Sequence, residues 1–280
     1  MKKKSKVINI IIAVFLLAGI TVLLYPFLGF WLSERSESYA IQEYDERYAK
    51  MQEEEREAEW ARAVSYNEQL QAGSIADPFT SSPSETGDDY RSVLDIGDSG
   101  MMAYLRIPKI NLRLPVYHGT TEEILELGIG HLEGTHLPIG GAGTHAVLTG
   151  HTGLQSSVFF TNLTDLEEND EFYIYVLDRV LAYRVDRISV VLPTEIDLLE
   201  GVEGEDYVTL VTCTPYGVNS HRLLVRGVRV DYTPDELEEI IADTDSAIGW
   251  MTVVLITSLA GFALIITIIF IKYRRNKRRN

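Results

Sequence analysis

The chain has 280 residues, 24% of them charged, a formal net charge of −16 and one cysteine, Cys213. That length holds one large or two small domains. The acidity excludes the basic footprint of a nucleic-acid binder, and a single thiol excludes a fold stapled by internal disulfides.

Two uncharged runs, residues 7–32 and 247–271, each exceed the ~20 apolar residues that cross a bilayer's hydrocarbon core and are predicted to be membrane helices. Lys2, Lys3, Lys4 and Lys6 precede the first, and KYRRNKRRN follows the second. Basic flanks stay inside, so the ends 1–6 and 272–280 are expected in the cytoplasm, with everything between the spans outside the plasma membrane. Tyr25, Phe27, Phe30, Trp31 and Trp250 suit the membrane–water interface. Ser38-Tyr39-Ala40 offers small residues to a signal peptidase, but the apolar run is longer than the ~7–15 residues of a signal core, which favours an uncleaved anchor. The segment 33–247 holds all 41 acids and 15 of the 25 Lys and Arg, a formal charge of −26. That excess reads as a solvated surface.

Residues 33–72 contain neither Pro nor Gly, and Ile41, Tyr44, Tyr48 and Met51 recur at helical spacing, predicting one long helix or two. Residues 73–100 turn to Gly, Ser, Asp and Pro, the composition of a linker. Within it Asp77-Pro78-Phe79 sets an acid and a large ring among small polar residues. On the residues alone, an ordinary Asp-Pro turn start accounts for that run better than a function does. From 101 to 232 the periodicity is that of strands: Met102–Ile107, Leu112–Val116, His145–Thr149, Phe172–Val176, a long run Val180–Val191 broken into two, Tyr207–Cys213 and Arg222–Val230. Eight short strands at this density predict a mainly β domain, a closed barrel or sandwich. GIG at 128–130 and GGAG at 140–143 lack the strand–helix context of nucleotide loops. Residues 233–246 form a juxtamembrane segment.

In TLVTCTP, Cys213 stands where the strand runs into Pro215, which cannot donate to a ladder. A thiol at a strand end can be reached by substrate, but at its free pKa of about 8.5 it needs help to become a nucleophile. Arg222 opens the next strand and falls near Cys213 if the two strands are neighbours. It then either steadies a substrate carbonyl or pairs with one of the many acids. Of six histidines, His151 ends the run HAVLTGH at a strand end like that of Cys213, and ranks first as proton donor or acceptor. His131 and His136 are five apart, unlike a helical zinc pair, and neither a metal nor a cofactor is expected.

TLVTCTPYGVNSHRLLVRG resembles the nucleophile strand, loop and arginine strand of a sortase, and HLEGTHLPIGGAGTHAVLTGHTGL is similar to the family's histidine segment. The two spans and Asp77-Pro78-Phe79 resemble class C sortases, the pilin polymerases of Gram-positive bacteria. The resemblance implies an eight-stranded sortase β-barrel with N-terminal helices and a lid loop. It also implies a nucleophile at Cys213, the family histidine at His151 and the family arginine at Arg222. In that family's terms Asp77 would pair with Arg222, and Phe79, where many relatives have Trp, would cover the thiol. The implied partners are pilins or surface proteins with C-terminal LPxTG-like sorting signals, joined to a pilin lysine amine. A housekeeping sortase that transfers to cell-wall precursor, and a non-catalytic tethered adhesion or sensing barrel, are the alternatives.

Overall fold

In the computed structural model the described residues are 35–70, 77–79, 88–97, 99–153, 159–195 and 197–233, with the single residues Tyr25 and Thr257. The two apolar runs, the basic ends and most of the juxtamembrane segment lie outside them. Among the described residues no helix is long and apolar enough to cross a membrane.

Helix α1 covers 35–50 and α2 covers Glu53–Gln69. The helical stretch breaks without Pro or Gly because Gln52 adopts an extended conformation and its backbone N–H donates to the Glu55 carboxylate at 2.8 Å. That is half of a capping box, which starts a new helix where one has just ended. Of the four residues at helical spacing, Ile41 and Tyr44 are 0% and 2% exposed, and Tyr48 and Met51 are partly buried against the same core. Full burial of a side chain such as Ile41 contributes about 1.5–3 kcal/mol.

Asn67 fixes α2 to the domain. Its side chain donates to the Leu137 carbonyl at 3.2 Å and accepts from the Leu137 N–H at 2.8 Å. Replacing Asn67 with Ala strands both backbone groups in a buried place and is expected to cost about 1–3 kcal/mol. A urea midpoint equal to that of the wild type would show that this clasp contributes nothing.

The linker is not loop throughout. Asp88–Ser92 form a short helix, α3, with Tyr90 buried. The Tyr90 hydroxyl sits 2.8 Å from Nδ1 of His131 and accepts the Gly119 N–H at 3.0 Å, so one aromatic side chain ties this segment to the barrel.

The eight strands are β1 (Met101–Ile107), β2 (Leu112–His118), β3 (Ile129–His131), β4 (Thr144–Thr149), β5 (Glu171–Val176), β6 (Arg179–Val191), β7 (Asp206–Thr214) and β8 (His221–Val230). They close into a barrel in the order β1-β2-β3-β4-β7-β8-β6-β5. The β2–β3 and β4–β7 pairs are parallel and the rest antiparallel. Alternate residues such as Leu105, Ile107, Val116, Phe172, Ile174, Leu210 and Val225 fill the core.

The strand count agrees with expectation, but the structure differs at two strands. The run 180–191 is one strand, because the irregularity between Val185 and Arg187 is a bulge that bends β6 rather than ending it. The missing strand is β3, whose middle residue is the second glycine of GIG. A Cβ on Gly130 would run into the carbonyl oxygen of Gly119. That glycine serves strand packing rather than phosphate binding. Helix α4 (Glu122–Leu127) links β2 to β3.

Candidate active site

The rim at the C-terminal ends of β4 and β7 assembles the three residues singled out from the sequence. In the parallel β4–β7 pair, Thr149 stands opposite Val211. Two residues further along each chain are His151 and Cys213, with the same offset. Gly150 keeps the extension of β4 in line. Its N–H donates to the Val211 carbonyl at 3.1 Å, and its carbonyl accepts from the Thr212 hydroxyl at 2.7 Å. A Cβ at Gly150 would lie 2.8 Å from the Phe160 ring, so the glycine before His151 answers to close packing. Across the antiparallel β7–β8 pair Cys213 lies opposite Arg222. His151, Cys213 and Arg222 thus occupy one row across three adjacent chain segments, and all three line a cleft of about 550 Å³.

Asp77 closes the row on one side. Its carboxylate accepts from Nε and Nη2 of Arg222, both at 2.7 Å, and the two residues are 8% and 6% exposed. This two-pronged, charge-assisted geometry is the strong form of an arginine–carboxylate contact. Nη1 of Arg222 donates to the carbonyls of Asn219 and His221, each at 3.2 Å. Phe79 lies under the Arg222 guanidinium, 5.0 Å from ring centroid to Cζ, and 5.8 Å from the His151 ring. It also packs on the small apolar cluster of Leu132, Val147, Leu199, Val211 and Leu224. The segment 77–79 therefore sits on the arginine and histidine of the row, and its Pro78 and Phe79 form part of the cleft wall.

Burial is the largest influence on the Cys213 thiol and pushes its pKa up; the Arg222 charge pulls it down and the Asp77 charge pushes it up again. Its paired carboxylate, first of all, raises the pKa of Arg222 and keeps it cationic. In this closed arrangement Cys213 is a held thiol rather than a poised thiolate.

The remaining histidines are placed elsewhere. His145 bonds through Nδ1 to the Glu200 carbonyl at 2.9 Å and through Nε2 to the Thr209 hydroxyl at 2.7 Å, and burial drives its pKa down to about 4. His131 is driven down to about 3 by burial. His118 bridges the carbonyls of Gly100 and Val93 at 2.9 and 2.8 Å, and His221 sits beside the Ser220 hydroxyl at 2.8 Å. Among the described residues no cluster of His, Cys, Asp or Glu could hold a metal ion. The cleft also contains residues that the sequence did not bring forward: Thr120, Thr121, Glu122 and Glu123 at the start of α4, and Asn219.

Residues 105–230 match the family model of the sortase domain. Sortase C of Streptococcus pneumoniae is 44% identical in a solved structure, with a TM-score of 0.65 over 70% of this chain and 98% of that one. Sortase C-1 of Actinomyces oris is 48% identical, with a TM-score of 0.61 over 63% of this chain and 99% of that one. Among curated relatives, sortase A of Bacillus anthracis is 32% identical over 123 residues, 44% of this chain and 57% of the relative. The match spans 57%, 59% and 62% of the length of three such relatives.

Proposed function

The chain belongs to the sortase family, and on that premise we propose that it is a membrane-anchored cysteine transpeptidase that joins pilin subunits. The observation that carries this reading is the row of His151, Cys213 and Arg222 in one cleft, locked by Asp77. Support for pilin as substrate comes from two similar proteins. The S. pneumoniae structure is described in terms of pilin substrate specificity, and a sortase C of group B Streptococcus, 40% identical, is described as pilus-related.

The reaction begins when the lid leaves Arg222 and an LPxTG-like sorting signal enters the cleft. Sγ of Cys213 passes its proton to His151 and, as thiolate, attacks the carbonyl carbon of the Thr–Gly bond. Arg222 steadies the carbonyl oxygen as charge develops on it. The C–N bond breaks, and His151 gives its proton to the departing glycine nitrogen, leaving a thioester on Cys213 and a neutral imidazole. A lysine amine of the next pilin then attacks the thioester. Its proton passes to His151, the thiolate leaves, and an isopeptide bond remains.

The uncharged runs 7–32 and 247–271, with basic residues beyond each, support a domain held outside the plasma membrane with both ends in the cytoplasm. Tethering the enzyme beside membrane-borne substrates raises their effective concentration.

The test is to incubate the full-length protein in detergent with a sorting peptide and then with pilin subunits. Mass spectrometry should find a thioacyl adduct on Cys213, and gels should show ladders that depend on a pilin lysine. An adduct that passes only to wall-type amines would refute polymerisation, and no adduct at all would refute the enzyme.

A further inference from the structure

The imidazole of His151 has few anchors. Its side chain is 17% exposed, and Nε2 is buried without a hydrogen-bond partner. The Phe79 ring lies 5.8 Å away at an interplanar angle of 37° and cannot hold a proton. Among the described residues one carboxylate lies within ion-pair range: Oε1 of Glu122 stands 3.4 Å from Nε2. That separation is just beyond the ~2.7–3.2 Å of a formed N–H···O bond. The Glu122 side chain is 71% exposed, so a small rotation closes the gap without disturbing packed neighbours. Hydrogen bonds of this kind are often long in an empty site and tighten when substrate arrives.

Every other charged group at the cleft is engaged differently. Asp77 and Arg222 are bound to each other. Glu123, the next residue of α4, is bonded to its own backbone N–H and to the Thr121 side chain, which hold its carboxyl below the usual range. Cys213 is the nucleophile. Glu122 is the acid whose geometry selects His151.

We infer that Glu122 is a positioning residue for His151: its carboxylate accepts the Nε2–H, fixes the ring, and leaves the other nitrogen to deliver the proton to the departing amine. The inference rests on the transpeptidase reading above. It divides the labour of a catalytic triad between a strand extension, β7 and the first turn of α4. An acid in a first turn also favours the helix dipole. Kinetics separate the two roles, because a helix-start acid alone has no effect on a chemical step.

The experiment measures thioacyl formation on Cys213 in the full-length protein with a sorting peptide, comparing wild type with Glu122→Gln, Glu122→Asp and Glu126→Gln. Glu126 lies on the same helix and does not line the cleft. Glu122→Gln is expected to slow acylation roughly tenfold at unchanged KM, a fraction of the ~10²–10⁴ that a general acid supplies. Glu122→Asp should recover part of the loss by restoring the charge, and Glu126→Gln should match the wild type. The inference is overturned by any of four results: a wild-type rate in Glu122→Gln, an equal loss in Glu126→Gln, a change confined to KM, or an Asp variant no better than Gln. Failure of the wild type to form the adduct would sink the transpeptidase reading itself, and with it this inference, which keeps the two failures apart.

Discussion

Arg222→Ala is expected to lower the rate of sorting-signal cleavage by about 10²–10³-fold, the usual loss when one donor to a developing oxyanion is removed. The geometry says which donors matter. Nη1 is bonded to the carbonyls of Asn219 and His221, which fix the guanidinium plane. Nε and Nη2 point the other way and hold the Asp77 carboxylate. Once the lid leaves, those two N–H groups face the cleft opposite Cys213, where a substrate carbonyl arrives. On the proposed reaction, Asp77 holds in this structure the two donors that a substrate oxygen would take. Arg222→Lys should rescue little, since an ammonium lacks the planar fork of donors that the Asn219 and His221 carbonyls orient toward the cleft. Steady-state kinetics with a quenched sorting peptide measure the effect. A kcat for Arg222→Ala within threefold of the wild type would remove Arg222 from the chemistry.

Replacing Asp77 and Phe79 together with Ala should raise the rate at which Cys213 is alkylated at neutral pH by an order of magnitude or more. Two effects act in one direction. Without Phe79 water enters the cleft and relieves the burial that most raises the thiol. Without Asp77 the upward push of its charge is gone, and the Arg222 charge acts on the thiolate uncompensated. Each lowers the Cys213 pKa, and while that pKa exceeds the ambient pH, each unit of lowering gives tenfold more thiolate. In a plot of alkylation rate against pH, the variant's rise is displaced to lower pH. Coincident wild-type and variant curves would reduce the lid to a linker. The double variant should keep its fold, because Arg222 retains its two carbonyl partners and opens to water instead of being stranded in a core.

Much of this site was legible in the sequence for a physical reason. A single thiol ahead of a proline, an arginine opening the next strand and a histidine after Thr-Gly are local features, and neighbouring strands bring local features together. Asp77 was visible as an oddity of composition, although the bidentate bond that gives it meaning spans 145 residues of chain. Two things were not legible. Strand β3 has three residues, too few for alternation to appear, and its glycine imitates a turn signal. Glu122 looks like any acid at a helix start. Only the closed barrel, with α4 inserted between β2 and β3, carries it to within ion-pair range of His151. The bulge in β6 misled in the opposite sense, since a bend within one ladder interrupts the sequence pattern much as a strand end would.

The row of His151, Cys213 and Arg222 has a consequence for how such a protein can diversify. Its members are aligned by ladder register between adjacent segments, so their spacing does not depend on the length of the loops that join those segments. The stretches after His151 and between β6 and β7 can lengthen, shorten or be exchanged without displacing nucleophile, acid and arginine from one another, whereas the β7–β8 loop is tied to Arg222 through the Asn219 carbonyl. The machinery behaves as a fixed chassis with interchangeable fittings: a new partner is acquired by rewriting a rim loop, and the chemistry is inherited unaltered.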